Sequence, residues 1–279
     1  MSAEAADRPG PDRAAVLGKP IGHSLSPVLH NAGYAAAGLG HWRYAAVECA
    51  ESELAGFVAG LGPEWAGLSL TMPLKEVALA VADRVGPLAE ALGAANTLVP
   101  RPDGWYADNT DTPGMVDVLH AAGLDAVERV AVLGAGGTAR AALGAVRQLG
   151  AAGVTVYARR RAAVDALTPV ADRLGLRLAY REFSDAAGCG GADLVISTVP
   201  KGAADRLGVA WRPATVVFDA IYDPWPTPLA AGAQAAGCRV VSGLDLLLAQ
   251  AVHQFRMFTG VAAPVGAMRT ARFAAAARR

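Results

Sequence analysis

Ten residues, Val130-Ala131-Val132-Leu133-Gly134-Ala135-Gly136-Gly137-Thr138-Ala139, restrict the fold more than any other stretch of the chain. They form a G-x-G-x-x-A pattern directly after an apolar strand-like run and directly before a helical one. Gly134 permits a tight turn, Gly136 lets backbone approach a pyrophosphate, and Ala139 allows close helix–strand packing. A helix N-terminus there offers unpaired N–H groups and a partial positive charge to phosphate. A bare glycine pattern is weak, but the strand–turn–helix context makes it a dinucleotide site on a Rossmann-like unit. Gly134, Ala135, Gly136, Gly137 and Thr138 are its candidate cofactor-binding residues.

The end of the next strand indicates which dinucleotide. NAD sites usually place Asp or Glu there, about 20 residues past the glycines, to hold the ribose 2′-hydroxyl. Here the strand over 153–157 runs into Ala158-Arg159-Arg160-Arg161, with no carboxylate at the corner. A guanidinium binds phosphate oxygens through a planar fork, so the corner suits the 2′-phosphate of NADP better than a bare hydroxyl. Ala158, Arg159 and Arg160 join the candidate cofactor set.

Around this motif, short β-like runs alternate with Ala-rich helical stretches. Strands are expected over 14–18, 43–49, 67–72, 129–133, 153–157, 193–197, 215–219 and 239–242, and a hairpin over 96–108. Helices are expected over 27–37, 51–60, 75–84, 137–149, 162–174 and 228–236, with a long one from Gly243. Such alternation implies βαβ crossovers and parallel sheets covered on both faces. At 279 residues the chain has room for two domains. A hydrophobic fraction of 53% excludes disorder over most of it. Lys+Arg 25 against Asp+Glu 25 gives no net charge, which argues against nucleic-acid or anionic-membrane partners. Cys49, Cys189 and Cys238 lie far apart, reading as reduced cytoplasmic thiols rather than a disulfide frame or zinc site. His23, His30 and His41 are not spaced as metal ligands, so no metal is expected.

A second constellation lies in the first hundred or so residues. Ser24-Leu25-Ser26-Pro27 leads into a helix, where Ser26 also fits as an N-cap. Ser69-Leu70-Thr71-Met72-Pro73-Leu74-Lys75 is an apolar strand that ends in a hydroxyl, with a lysine just past a proline. Asn96-Thr97 and Asn109-Thr110-Asp111 add polar groups at strand ends. Each alone is a turn or cap signal. Together they are polar clusters at strand–loop junctions, where α/β sheets place ligands.

In order, and from about residue 14 to 268, these motifs resemble the shikimate dehydrogenase family. The matching residues are Ser24-x-Ser26-Pro27…His30, Thr71-x-Pro73-x-Lys75, Asn96-Thr97, Asn109-Thr110-Asp111, Gly134-Ala-Gly-Gly137, Tyr222…Thr227-Pro228 and Gly243-Leu…Gln250-Ala251. The resemblance implies two α/β domains with a cleft between them. A substrate-binding domain over 14–112 would be completed by C-terminal helices over 244–279, and a Rossmann-like NADP-binding domain would span 113–243, behind a flexible tail over 1–13.

It also implies an NADP-dependent oxidoreductase of aromatic amino acid (chorismate) biosynthesis that reversibly reduces the C3 ketone of 3-dehydroshikimate to shikimate. Lys75 and Asp111 would be the catalytic pair. Ser24 and Ser26 would bind the substrate carboxylate with Tyr222 nearby, and Thr71, Asn96, Asp111 and Gln250 would hold the ring hydroxyls. Ala220 and Gly243 would line the cofactor beside the glycine loop and arginines. The expected partners are then a small-molecule substrate and no nucleic acid or membrane, in a cytoplasmic monomer or homodimer. Quinate or amino-shikimate specificity within the same family, and a non-catalytic dinucleotide- or shikimate-sensing homologue, are the alternatives. Four positions depart from the commoner pattern: Ser69 replaces Asn, Thr112 replaces Gly, the arginine run replaces Asn-Arg-Thr, and no acidic residue stands near Gly86-Pro87.

Overall fold

The structure, a computed structural model, describes residues 10–276. Of the expected tail over 1–13, residues 1–9 lie outside the described residues, and Arg13 already belongs to the first strand. The chain divides into two compact units. One holds the chain up to Glu90, Ala94–Thr110 and the chain from Ala251 onward; the other holds Ala91–Gly93 and Asp111–Gln250. The divisions therefore fall at the Thr110–Asp111 bond and inside the helix Gly243–Thr259.

In the first unit, β1 (Arg13–Gly18), β2 (Arg43–Glu48), β3 (Trp65–Leu70), β4 (Arg84–Val85), β5 (Thr97–Arg101) and β6 (Gly104–Asp108) form one sheet in the order β2-β1-β3-β5-β6-β4. β2 and β3 run parallel to β1, β5 runs antiparallel to β3, and β6 antiparallel to β5. The sheet is therefore mixed, not parallel as its alternating pattern suggests. The reversal comes from the expected hairpin, whose turn residue Gly104 has φ +111°. One edge of this sheet thus gathers the exits of β1, β3 and β6 and the entry of β5.

The distal half of the helix Gly243–Thr259 belongs to this unit. Ala251, Gln254, Phe255 and Phe258 are all buried, an i, i+3, i+4, i+7 stripe facing the core. Phe255 and Phe258 pack where Gly33 and Gly67 carry no side chain, and a Cβ at either position would collide with the rings. The expected helix over 75–84 shortens to Ala78–Val81, followed by β4. The Lys75 carbonyl, which a helix would pair with Leu79, instead accepts the Ala95 N–H at 2.7 Å.

In the second unit, β7 (Val130–Leu133), β8 (Gly153–Ala158), β9 (Arg177–Glu182), β10 (Leu194–Ser197), β11 (Val216–Asp219) and β12 (Arg239–Ser242) are parallel, in the order β12-β11-β10-β7-β8-β9. β7, β10 and β11 are buried along their whole length, as continuous apolar runs require. The strand order reverses between β7 and β10, the position at which doubly wound sheets bind nucleotides. Two features differ from the expected pattern. The helix over 162–174 divides into Arg161–Asp165 and Thr168–Leu174, with a proline in the first turn of the second. β9 emerges from a stretch expected to carry no strand; it is an edge strand rich in exposed charges, which masks its strand character. Among the described residues no helix is long and apolar enough to cross a membrane, and the three cysteines are buried thiols.

His30 is wholly buried in the first unit, stacked on Tyr44 at 4.1 Å between ring centroids and flanked by Tyr34, Phe255 and Phe258. Burial lowers its pKa from 6.5 to about 3; Gln254 opposes this only in part, because neither ring nitrogen reaches hydrogen-bonding geometry. The imidazole is thus neutral in the folded protein while the unfolded chain takes up a proton below pH 6.5. Stability from this site is complete above pH 6.5 and falls by about 1.4 kcal/mol per pH unit below it. Urea unfolding at pH 7 and pH 5 should show the native protein losing about 2 kcal/mol more than His30→Phe. Equal losses would show that the histidine is not buried neutral.

Candidate active site

In the first unit every expected substrate or catalytic residue lies at the edge where β1, β3 and β6 exit and β5 enters. Gly18 closes β1, and a Cβ there would collide with Thr71, so its absence brings the two exit loops together. The Lys19 N–H then donates to the Met72 carbonyl at 3.1 Å. The Ser24 Oγ accepts the Ser26 N–H at 3.3 Å, but the N-cap position of the helix Ser26–Ala36 is Leu25, so no side chain caps it and the cap expected of Ser26 is not formed. Ser26 itself is the first residue of the helix and is buried. Thr71 is anchored by its N–H to the Leu17 carbonyl at 2.9 Å, and its side chain is half-buried. The half-buried Lys75 is held through its main chain to Ala95, immediately before Asn96.

Asn96 is 2% exposed and lies at the centre of a buried hydrogen-bond chain. Its Oδ1 accepts the Thr110 N–H at 2.8 Å and the Thr97 hydroxyl at 2.8 Å, and its Nδ2 donates to Thr110 Oγ1 at 3.0 Å. With the oxygen occupied twice, the side chain retains one N–H of its amide as its remaining polar handle. Thr110 is thereby fixed, and the next peptide bond leads to Asp111, a buried carboxylate opening the helix Asp111–Ala121. A helix N-terminus favours negative charge.

Tyr44 and Gln254 of this chain carry no sequence motif, and Ser69 stands out in the sequence only as a departure from the family pattern. The register sets Ser69 directly opposite Thr97 across β3 and β5. The Tyr44 hydroxyl donates to Ser69 Oγ at 2.6 Å and Ser69 donates to Gln254 Oε1 at 2.7 Å. Gln254 Nε2 donates to Thr97 Oγ1 at 2.9 Å and to the Asn96 carbonyl at 3.1 Å. Burial pushes the Tyr44 hydroxyl well above its ordinary pKa, and its hydrogen bond with Ser69 opposes this only in part. The available signal was a glutamine inside an otherwise apolar stripe, which a buried amide can occupy only with partners.

The second unit presents its own edge, formed by the exits of its parallel strands. Gly134 has φ +99°, a backbone that L side chains rarely adopt, and a Cβ there would sit 2.7 Å from Thr198 Oγ1 beyond β10. Gly136 and Gly137 are exposed with open space over both Cα atoms, and the helix Gly137–Gln148 carries no side-chain cap. Ala135 and Thr138 are partly exposed and Ala139 is fully buried. An open, uncapped, glycine-lined helix N-terminus at the switch point fits a pyrophosphate. Ala158 is buried at the end of β8, whereas Arg159 and Arg160 are exposed. Arg161 differs from both: it pairs with Asp165 at 3.4 Å and lies over the Tyr180 ring.

Gly243 is seated against the Ala220 carbonyl so closely that a Cβ would collide with it, and Tyr222 Cδ1 would be 3.2 Å from that Cβ. The fold therefore brings Ala220, Tyr222 and Gly243 together. Asp219, unremarked in the sequence, closes the loop that bears Tyr222. It is buried, accepts the Thr227 hydroxyl at 2.6 Å and the Ile221 N–H at 3.2 Å, and burial raises its pKa. Gln250 is buried; its amide donates to the Leu247 carbonyl at 2.8 Å, and its main chain packs against Gly114 one turn after Asp111. The Thr112 hydroxyl donates to the Ala141 carbonyl at 3.1 Å, so that departure from the family pattern is a packing contact between helices.

Comparison with known proteins agrees with this layout. The chain matches the family described as shikimate dehydrogenase substrate binding domain over residues 16–98 and that described as shikimate 5'-dehydrogenase C-terminal domain over residues 243–271. It is 41% identical over 258 residues to the shikimate dehydrogenase (NADP(+)) of Caulobacter vibrioides, covering 88% of this chain and 89% of that one. The crystal structure of Mycobacterium tuberculosis shikimate dehydrogenase is 44% identical, with a TM-score of 0.84 over 95% of this chain and 100% of that one. The Thermus thermophilus shikimate 5-dehydrogenase, solved in complex with NADP(H) and shikimate, is 32% identical with a TM-score of 0.81, covering 94% and 99%. With both sheets, both edges and their motifs in place, the chain belongs to the shikimate dehydrogenase family.

Proposed function

We propose that this protein is an NADP-dependent shikimate dehydrogenase that reversibly reduces 3-dehydroshikimate to shikimate. The supporting observation is the conjunction, in one member of the family, of the Lys75 and Asp111 motifs with a Rossmann-ordered unit whose β8 corner holds arginines and no carboxylate. The first unit acts as the substrate-binding domain and the second as the NADP-binding domain. Ser24 and Ser26 bind the substrate carboxylate, together with Tyr222. Thr71, Asn96 and Gln250 hold ring hydroxyls, Asn96 through its remaining N–H. Gly134 to Thr138 hold the pyrophosphate, Arg159 and Arg160 the 2′-phosphate, and Ala158, Ala220 and Gly243 line the rest of the cofactor.

NADPH, when bound, supplies the reducing equivalent to the C3 carbonyl carbon. Negative charge then grows on the carbonyl oxygen and requires a proton donor within hydrogen-bond reach. The Lys75 ammonium stabilises that charge and donates the proton; in the oxidation direction its neutral amine takes the proton back. Asp111 accepts from the adjacent hydroxyl and orients the ring. The protein acts on a small molecule, in the cytoplasm, as a monomer or homodimer.

Mixing protein, shikimate and NADP should produce the absorbance of reduced nicotinamide, and silence with both NADP and NAD would overturn the reading. Quinate and aminated analogues run beside shikimate will separate the family's substrate classes; a preference for either over shikimate would reassign the substrate. Lys75→Ala should cut kcat at least a hundredfold with KM for shikimate changed only a few-fold, since the lysine acts on charge that develops in the transition state. An unchanged kcat would remove Lys75 from the mechanism.

The cofactor assignment has its own test. Arg159→Ser with Arg160→Ser should raise KM for NADP at least tenfold, because each lost charge-assisted bond is worth about 1.5–3 kcal/mol, and leave KM for NAD nearly unchanged. Equal effects on the two cofactors would show an ordinary surface cluster.

A further inference from the structure

We propose that Gln254 is a positioning residue for the reaction, orienting Asn96 and holding Thr110 in place ahead of Asp111, with Ser69 as its second support; this rests on the reading of Asn96 and Asp111 given above. The direction of the chain is forced by two main-chain groups. The Thr110 N–H can only donate, so the Asn96 atom 2.8 Å away is its oxygen. The Asn96 carbonyl can only accept, so the Gln254 atom 3.1 Å away is its nitrogen. Gln254 Oε1 must then accept from Ser69, and Ser69 in turn accepts from Tyr44. Thr97, which accepts from Gln254, has its own hydrogen left for Asn96 Oδ1.

From Tyr44 through Ser69, Gln254 and Thr97 to Asn96 each side chain therefore donates to the next, the Thr110 N–H meets Asn96 Oδ1 from the other side, and all six residues are at most 4% exposed. Groups this deeply buried depend on one another for their partners, so an error at one end propagates. Without the Gln254 amide, Thr97 has no donor to accept from and the Asn96 carbonyl loses its side-chain partner. The Thr97 hydroxyl is then free to turn away from Asn96 Oδ1, which leaves the Asn96 amide held by its Thr110 contacts alone. Glutamine at 254 touches neither substrate nor cofactor in this assignment; it acts through Asn96 and Thr110.

The test uses Gln254→Met, which keeps the volume, Gln254→Glu, which can accept from Ser69 but cannot donate to the Asn96 carbonyl, and Ser69→Ala, which removes one hydroxyl. All three should lower kcat/KM for shikimate ten- to hundredfold while KM for NADP stays within twofold. Amide hydrogen exchange should quicken at Asn96 and Thr110 and stay unchanged in β7, β10 and β11. The Ser69→Ala, Gln254→Met double variant should lose no more than the worse single variant, because the two act in one chain. If a Gln254 variant does not unfold cooperatively, Ser69→Ala carries the test. Folded variants with native kcat and KM for shikimate, or losses shared equally with NADP, would overturn the proposal. Failure of the native protein to oxidise shikimate would instead overturn the functional reading, and the exchange measurement would still decide whether the chain of hydrogen bonds holds Asn96 and Thr110.

Discussion

Two main-chain groups, the Thr110 N–H and the Asn96 carbonyl, determine the polarity of the hydrogen-bond chain in the first unit's interior. Polar side chains that enter a buried interior must satisfy one another. The solution here is a chain of six residues drawn from β2, β3, the start of β5, the loop after β6 and the helix Gly243–Thr259. It ties that helix to the sheet and delivers Asn96 and Thr110 in a single orientation. The apolar contacts around it serve the same placement: Phe255 and Phe258 fill the space left by Gly33 and Gly67, which seats Gln254 at the depth its partners require.

The second unit solves the corresponding problem with glycine rather than with hydrogen bonds. Its central strands are buried throughout, so ligand-facing chemistry is confined to the exits of the sheet. At those exits, bare backbone substitutes for side chains. Gly134 takes a left-handed turn at the strand-order reversal, Gly136 and Gly137 leave the helix N-terminus open, and Gly243 admits the Ala220 carbonyl. The three arginines at the end of β8 all stay exposed but diverge once folded, since Arg161 is drawn to Asp165 and Tyr180. The helix Arg161–Asp165 thus gives the third arginine its own partners and leaves Arg159 and Arg160, the candidates read from the sequence.

The glycine motif, the central strands and the residues at the strand exits are legible in the sequence because each obeys a local rule, whether apolar periodicity, turn chemistry or an ordered family motif. What escaped is non-local. Gln254 and Ser69 are 185 positions apart and have meaning only as a pair. Asp219 and Thr227 close the Tyr222 loop through a contact that neither residue announces. The helix expected after Pro73 yields to a turn because Ala95 claims the Lys75 carbonyl, a competition invisible in a window around residue 75. β9 hides behind its charges, since an edge strand tolerates them on both faces.

By itself the sequence determined the α/β class, the dinucleotide loop, the arginine corner and the ordered motifs that place the chain in its family. These follow from spacing along the backbone, which folding does not change. Tertiary structure alone decided that the first sheet is mixed, that Gln254 meets Ser69, and which face of the Asn96 amide carries its remaining N–H. Each of those depends on which distant donor meets which acceptor in a core closed to water, and only the packed chain makes that choice.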